Sequence, residues 1–138
     1  MTKVSVSVIM AEYNTKVADL KTAIKSILDQ TYRDFEFIIV DDGGKNDLEV
    51  IKKELGNDKR IRIIKNPCNK GFVYSLNNAI AHAEGEYLVR MDTDDIAEKN
   101  RIQKQHNFIQ KHPEYSVVAS RVIEFSDKKE LGILGKAG

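Results

Sequence analysis

A chain of 138 residues, 41% hydrophobic and 31% charged, suits one soluble compact domain with a sizeable core. Its formal net charge of +1 provides no whole-chain field for holding nucleic acid or an anionic membrane. The lone cysteine, Cys68, excludes an internal disulfide, and no apolar run approaches the ~20 residues of a membrane span. The alternating N-terminus "MTKVSVSVIMAEYN" lacks the continuous apolar stretch of a signal peptide, so a cytoplasmic chain is expected.

Two periodicities alternate along the sequence. Val4 to Ala11 predicts a strand, and Val17, Leu20, Ile24, Ile27 and Leu28 then recur at helical spacing. Phe35 to Val40 is a short apolar strand that ends in "DDGG". A helix from Leu48 to Leu55 stops at Gly56-Asn57, and a strand from Ile61 to Ile64 is broken by Asn66-Pro67. Phe72, Leu76, Ala79, Ile80 and Ala83 outline the apolar stripe of a helix that Gly85 closes. Tyr87 to Met91 predicts a fourth strand. The polar helix after it, Ala97 to Lys111, turns Ile102 and Ile109 inward. Ser116 to Arg121 predicts a fifth strand, extending toward Phe125. The stretch 126–138, with its three closing glycines, reads as a flexible tail or truncation point after a domain spanning 1–125.

Strands and helices alternating at intervals of about 25–30 residues indicate an α/β fold with a mostly parallel sheet and helices on both faces. Such sheets bind ligands beyond the carboxyl ends of their strands. That rule places "EYN", "DDGG", "NPCNKG" and "DTDD" along one edge.

The acidic stretch is the most informative of the four. Asp92, Asp94 and Asp95 put three carboxylates within four residues, a donor set suited to a hard divalent cation such as Mg²⁺ or Mn²⁺. In an extended segment Asp92 and Asp94 project to the same side. A helix N-cap would occupy Asp94 or Asp95 and leave the other two unexplained. Asp41 and Asp42 fit either a turn or a ligand site, as acceptors for a base N–H or a ribose hydroxyl. Lys70, at a helix start, is either an anion contact or a solvated side chain. Arg90 can pair with a diphosphate or with the acidic cluster itself. "GGK" lacks the spacing of a P-loop, and no G-x-G-x-x-G follows a strand. His82, His106 and His112 have no ligand spacing and read as surface histidines, and Cys68 has no partner to make it a nucleophile.

Four stretches in order, over roughly residues 3 to 125, resemble the bacterial family 2 glycosyltransferases, inverting enzymes with the Rossmann-like GT-A fold. "VSVIMAEYN" is similar to the family's V-S-V-I-x-P-x-Y-N strand. "AIKSILDQTYRDFEFIIVDDGG" carries its Q-T-Y and V-D-D-G-S elements. "NKGFVYSLNNAIAHAEGEYLVRMDTDD" leads into its D-x-D motif, and "HPEYSVVAS" resembles the strand beyond. The resemblance implies nucleotide contacts at Ala11, Tyr13, Asp41, Asp42 and Asp92, with Tyr13 packing on the base and Asp42 hydrogen-bonding it. It implies a Mn²⁺ or Mg²⁺ held by Asp94 and Asp92, and sugar or diphosphate contacts from Lys70, Arg90 and Asp95. Departures are Ala11-Glu12 in place of the usual small or proline-containing pair, Gly44 for Ser or Thr, and Lys99 for Pro.

The implied activity is metal-dependent transfer of a sugar, with inversion, from a UDP-linked donor to a hydroxyl of a glycan or lipid-linked acceptor in bacterial surface polysaccharide synthesis. The chain would be the donor-binding half, with the general base downstream and the whole protein cytoplasmic or peripheral at the inner membrane face. A non-catalytic nucleotide-binding module, a phosphoacceptor receiver domain and a sugar-phosphate nucleotidyltransferase are the alternatives. A receiver's acidic pair follows its first strand, whereas here a strand–helix unit precedes it. A nucleotidyltransferase opens with a Gly-rich basic loop, which "AEYNTK" is not.

Overall fold

A computed structural model describes residues 4–112 and the two strands 121–124 and 129–133. In chain order the elements are β1 (Val6–Glu12), α1 (Val17–Leu28), β2 (Phe35–Asp41), α2 (Leu48–Glu54), β3 (Ile61–Lys65), α3 (Phe72–His82), β4 (Tyr87–Arg90), α4 (Arg101–Lys111), β5 (Arg121–Glu124) and β6 (Lys129–Ile133). The first four strands form one all-parallel sheet in the order β3-β2-β1-β4. The central strands are the most apolar because both their faces are covered: every residue of β2 is buried, and all of β1 except Ala11. The edge strands β3 and β4 are only partly buried. The chain is therefore an α/β domain of the expected Rossmann-like kind.

The strand pleat divides the core in two. On one face Val6, Val8 and Met10 of β1 and Phe35, Phe37 and Ile39 of β2 pack with Leu20, Ala23, Ile24 and Ile27 of α1, Leu48 and Ile51 of α2, and Ile102 of α4. On the other, Ile9, Ile38 and Val40 pack with Ala79 of α3, with Leu76 and Ala83 beside them. The second face is thinly covered. Phe72 and Ile80, expected in the buried stripe of α3, are exposed instead.

Four sequence expectations change. Strand one runs one residue past the apolar run, because Glu12 lies in register with Asp41 of β2. The polar helix begins at Arg101 rather than Ala97, and Ile109 is only half-buried. His106 is half-buried rather than exposed: it bonds to Ser5 Oγ at 3.1 Å and lies against the rings of Tyr32 and Tyr87. The stretch expected as a tail contains β6, paired antiparallel to β5 in a separate two-stranded sheet. Most of the expected fifth strand, 116–120, lies outside the described residues.

Candidate functional site

The carboxyl ends of β1, β2, β3 and β4 do bring the four polar segments to one edge. The pleat then gives neighbouring acids different surroundings. Asp42 follows Val40 onto the α3 side and is 3% exposed. Its Oδ1 accepts from the Lys70 N–H at 2.7 Å and the Asn66 amide at 2.8 Å. Its Oδ2 accepts from the Asn69 amide at 2.8 Å and the Gly71 N–H at 3.0 Å. Burial alone would push this carboxyl up, but the hydrogen bonds from Lys70, Asn66 and Gly71 outweigh it and hold its pKa below the usual value.

Four donors fill the acceptor positions of a carboxylate. Asp42 is thus the anion at the N-terminus of α3, the place the sequence offered to a ligand phosphate beside Lys70. The Lys70 ammonium instead lies 5.8 Å from the centre of the Tyr74 ring. Gly43 lets the two loops meet: its φ is +81°, and a Cβ there would come within 2.9 Å of the Asn69 nitrogen. At Gly44, which departs from the family's Ser or Thr, a Cβ would fall 2.7 Å from Asn14 Oδ1, an oxygen that receives the Lys45 N–H.

Against this cradle lies a cleft of about 260 Å³ lined by Ala11, Glu12, Tyr13, Asp42, Asn69, Gly71 and Phe72. Tyr13 and Phe72, both in its lining, are 51% and 49% exposed. Two half-exposed rings and a small residue in one lining suit a flat heterocycle. Sequence reasoning assigned Phe72 to the core. The missed signal was an aromatic in the first position of a helix directly after an Asn-Lys-Gly loop. Asn66 and Asn69, which complete the Asp42 cradle, were missed as well.

Glu12 and Asp41 face the α1 side, away from Asp42. Glu12 is wholly buried, and its Oε2 accepts from the Thr15 N–H and the Asn46 amide, both at 2.9 Å. Its Oε1 has no partner among the described residues. Its carboxylate braces the β1–α1 and β2–α2 loops. Asp41 Oδ1 receives the Gly43 N–H at 3.0 Å, a turn contact.

The acidic turn after β4 is built differently. Asp92 pairs with Arg90 at 3.3 Å in an exposed ion pair, and the Arg90 guanidinium lies 5.3 Å from the Phe72 ring centre. Asp95 donates its N–H to the Asp92 carbonyl at 3.3 Å. Burial, then the charges of Asp92 and Asp94, raise the Asp95 carboxyl above its usual pKa, and Arg101 offsets part of this. Asp94 is exposed and has no hydrogen-bond or ion-pair partner among the described residues. None of the three caps α4, whose N-cap is Asn100.

A group of partly desolvated carboxylates in mutual repulsion is a donor set that a hard dication relieves. Among the described residues no three His, Cys, Asp or Glu side chains converge on a single metal position. A cation here would therefore draw further oxygens from its ligand, as Mg²⁺ does from substrate phosphates.

A larger hollow of about 410 Å³ lies elsewhere, between the end of α1, the end of α2 and the approach to β3. Four of its charges are matched internally, Arg60 with Asp58 at 2.9 Å and Lys25 with Asp29 at 3.1 Å.

Residues 7–134 match the family described as "Glycosyl transferase family 2". The putative glycosyltransferase EpsE of Bacillus subtilis is 38% identical over 132 residues, which cover 94% of this chain and 46% of that protein. The chain thus spans about half the length of this relative. The mannosyltransferase PcManGT from Pyrobaculum calidifontis, solved with GDP-Man and Mn²⁺, superposes with a TM-score of 0.73 at 20% identity, over 91% of this chain and 37% of that one. S. aureus TarS 1-349 in complex with UDP gives 0.70 at 22% identity, over 86% and 41%. These structures share the fold of this chain.

Proposed function

The chain belongs to glycosyltransferase family 2, and from that premise we propose that it binds the nucleoside diphosphate of a sugar donor in a metal-dependent manner, as the donor-binding part of an inverting transferase. The base stacks between Tyr13 and Phe72 over Ala11. Asp42 shapes this cleft by fixing the start of α3, and a base N–H reaches its carboxylate only by displacing one of the four donors already there. Asp41 orients the turn beside it. The diphosphate lies toward Asp92 and Asp94, with Arg90 and Lys70 as the nearby cations and Asp95 behind.

Mn²⁺ or Mg²⁺, bound to Asp94 and Asp92 and to the diphosphate oxygens, would supply Lewis-acid stabilisation of the leaving group. Without a cation, the acidic turn repels a diphosphate. The acceptor hydroxyl attacks the anomeric carbon from the opposite face, which requires a general base; no residue described in this chain is assigned that role. A UDP-linked donor, a glycan or lipid-linked acceptor, a part in surface polysaccharide synthesis and a cytoplasmic location, peripheral to the membrane, are the companion proposals. TarS and PcManGT, solved with UDP and with GDP-Man and Mn²⁺ respectively, support a nucleotide-sugar donor.

The observation that carries this reading is the freedom of Asp94. It sits at the carboxyl edge on the turn after β4, and no hydrogen bond or ion pair among the described residues uses it. Titration calorimetry with UDP and Mn²⁺ tests the reading, with Asp94→Ala as the comparison. Binding by the wild type that depends on Mn²⁺ and weakens in the variant is the expected result. Equal binding by both, or none by the wild type, overturns it.

A further inference from the structure

The Q-T-Y stretch, just past the end of α1, is absent from the lining of the donor cleft yet is bonded across the fold to the start of α4. We propose that Gln30 is a positioning residue for the acidic turn: its side chain caps α4 from across the fold and fixes the frame from which Asp92, Asp94 and Asp95 project. This rests on the metal-site reading above.

A helix start leaves its first N–H groups unpaired, and the N-cap side chain ordinarily satisfies one of them. Asn100, at the N-cap of α4, makes no such bond. The N–H of Ile102 donates instead to Gln30 Oε1 at 2.9 Å, from 72 residues away. At the other end of the amide, Nε2 donates to the Glu98 carbonyl at 2.5 Å and to the Ser26 carbonyl at 3.1 Å. Gln30 is 1% exposed. A reversed amide would set NH₂ against N–H at one end and oxygen against carbonyls at the other, so only one orientation satisfies the site.

Two neighbours reinforce it. Ser26 Oγ accepts the Ala97 N–H at 3.0 Å, and the Thr31 N–H donates to the Lys99 carbonyl at 2.8 Å. Residues 97, 98, 99 and 102 are therefore all tied to the end of α1. On the near side of the turn, the Met91 N–H reaches the Ile9 carbonyl at 2.9 Å and Thr15 bonds Thr93 at 2.9 Å. The turn is clamped on both sides, while Asp94 makes no bond within it. Delegating the cap to Gln30 leaves the carboxylates out of the capping of α4 and resists their spreading apart under mutual repulsion. Partners that orient metal ligands at one remove typically contribute about 10- to 100-fold to metal affinity.

The test is UDP binding by calorimetry, with Mn²⁺ and with EDTA, for wild type, Gln30→Met and Ser26→Ala. Met keeps the length of Gln but neither accepts nor donates these bonds. Gln30→Met is expected to lose about tenfold or more of the affinity gained from Mn²⁺, while UDP binding in EDTA, set by the Tyr13 and Phe72 cleft, stays unchanged. Ser26→Ala moves the same way by less and decides the matter if Gln30→Met does not fold. A folded variant with the full Mn²⁺ gain overturns the role of Gln30 alone. Proportional loss in Mn²⁺ and in EDTA reduces Gln30 to a general structural contact and also overturns it. A wild type with no Mn²⁺ gain removes the metal-site reading itself, and this proposal with it.

Discussion

Replacing Asp42 by asparagine exchanges one carboxylate oxygen for an NH₂ group without changing the size of the side chain. In the native cradle each oxygen faces two donors: the Lys70 N–H and Asn66 amide at Oδ1, the Asn69 amide and Gly71 N–H at Oδ2. One asparagine oxygen still serves two of them, and the Asn69 amide can turn to offer its own oxygen to the new NH₂. At least one backbone N–H then faces another donor in a buried position. Loss of charge on the surviving bonds, together with one unsatisfied donor, costs about 2–4 kcal/mol, a large share of a marginal stability. The change also has a pH signature. The folded-state pKa of Asp42 is lowered, so the wild type holds this stabilisation above the unfolded value of about 3.9 and loses it as pH falls through the folded value. Urea unfolding at a series of pH values between 6 and 2 is the assay, as about ten steps across the acid range resolve the slope. Asp42→Asn should be less stable at pH 6 and should lose less further stability on acidification than the wild type. Equal stability at pH 6, or parallel acid slopes, would refute the claim that four donors hold this carboxylate ionised.

Phe72→Ala should weaken UDP binding by about 1–3 kcal/mol, the usual worth of one stacked base, with little change in unfolding temperature because the ring is half-exposed; calorimetry paired with thermal melts would show it. Gly43→Ala should destabilise the fold by more than about 1 kcal/mol, since a Cβ at φ +81° would also press on the Asn69 nitrogen; a urea midpoint that does not move would contradict this. Asp94→Ala, by contrast, should leave stability unchanged within about 0.5 kcal/mol, as it removes no internal bond, and should affect only the Mn²⁺-dependent binding.

What the sequence made readable was local. Apolar runs of strand length bounded by Asp, Gly and Pro placed all four parallel strands, and the carboxyl-edge rule then gathered "EYN", "DDGG", "NPCNKG" and "DTDD" correctly. The features that escaped depend on residues far apart in the chain. Ala97 looks like a helix start because a polar, helix-favouring stretch follows it. Residues 97–99 are instead drawn to α1 by Ser26, Gln30 and Thr31, and α4 begins only at Arg101. Phe72 fits the apolar period of α3, but that helix covers a thin layer of core, and Phe72 in its first turn lines the cleft. The direction of Glu12 follows from pleat parity once the end of β1 is known, and the sequence expectation stopped that strand one residue early.

The acids along this edge share one residue chemistry and differ in how many donors the fold already supplies. Asp42 has four, Glu12 two, Asp41 one through the Gly43 N–H, and Asp94 none among the described residues. A carboxylate whose lone pairs are filled by fixed donors gives up those bonds to bind a cation, so Asp42 is the least available although it lines the cleft. Asp92 occupies an intermediate place, since it shares a side-chain hydrogen bond with Asp95 and pairs with Arg90 at 3.3 Å. An exposed pair of that kind is worth about 0–1 kcal/mol, too little to hold Asp92 against a dication that also gathers diphosphate oxygens. The order of availability is therefore Asp94, Asp92, then the buried acids. It follows from partner count and burial alone.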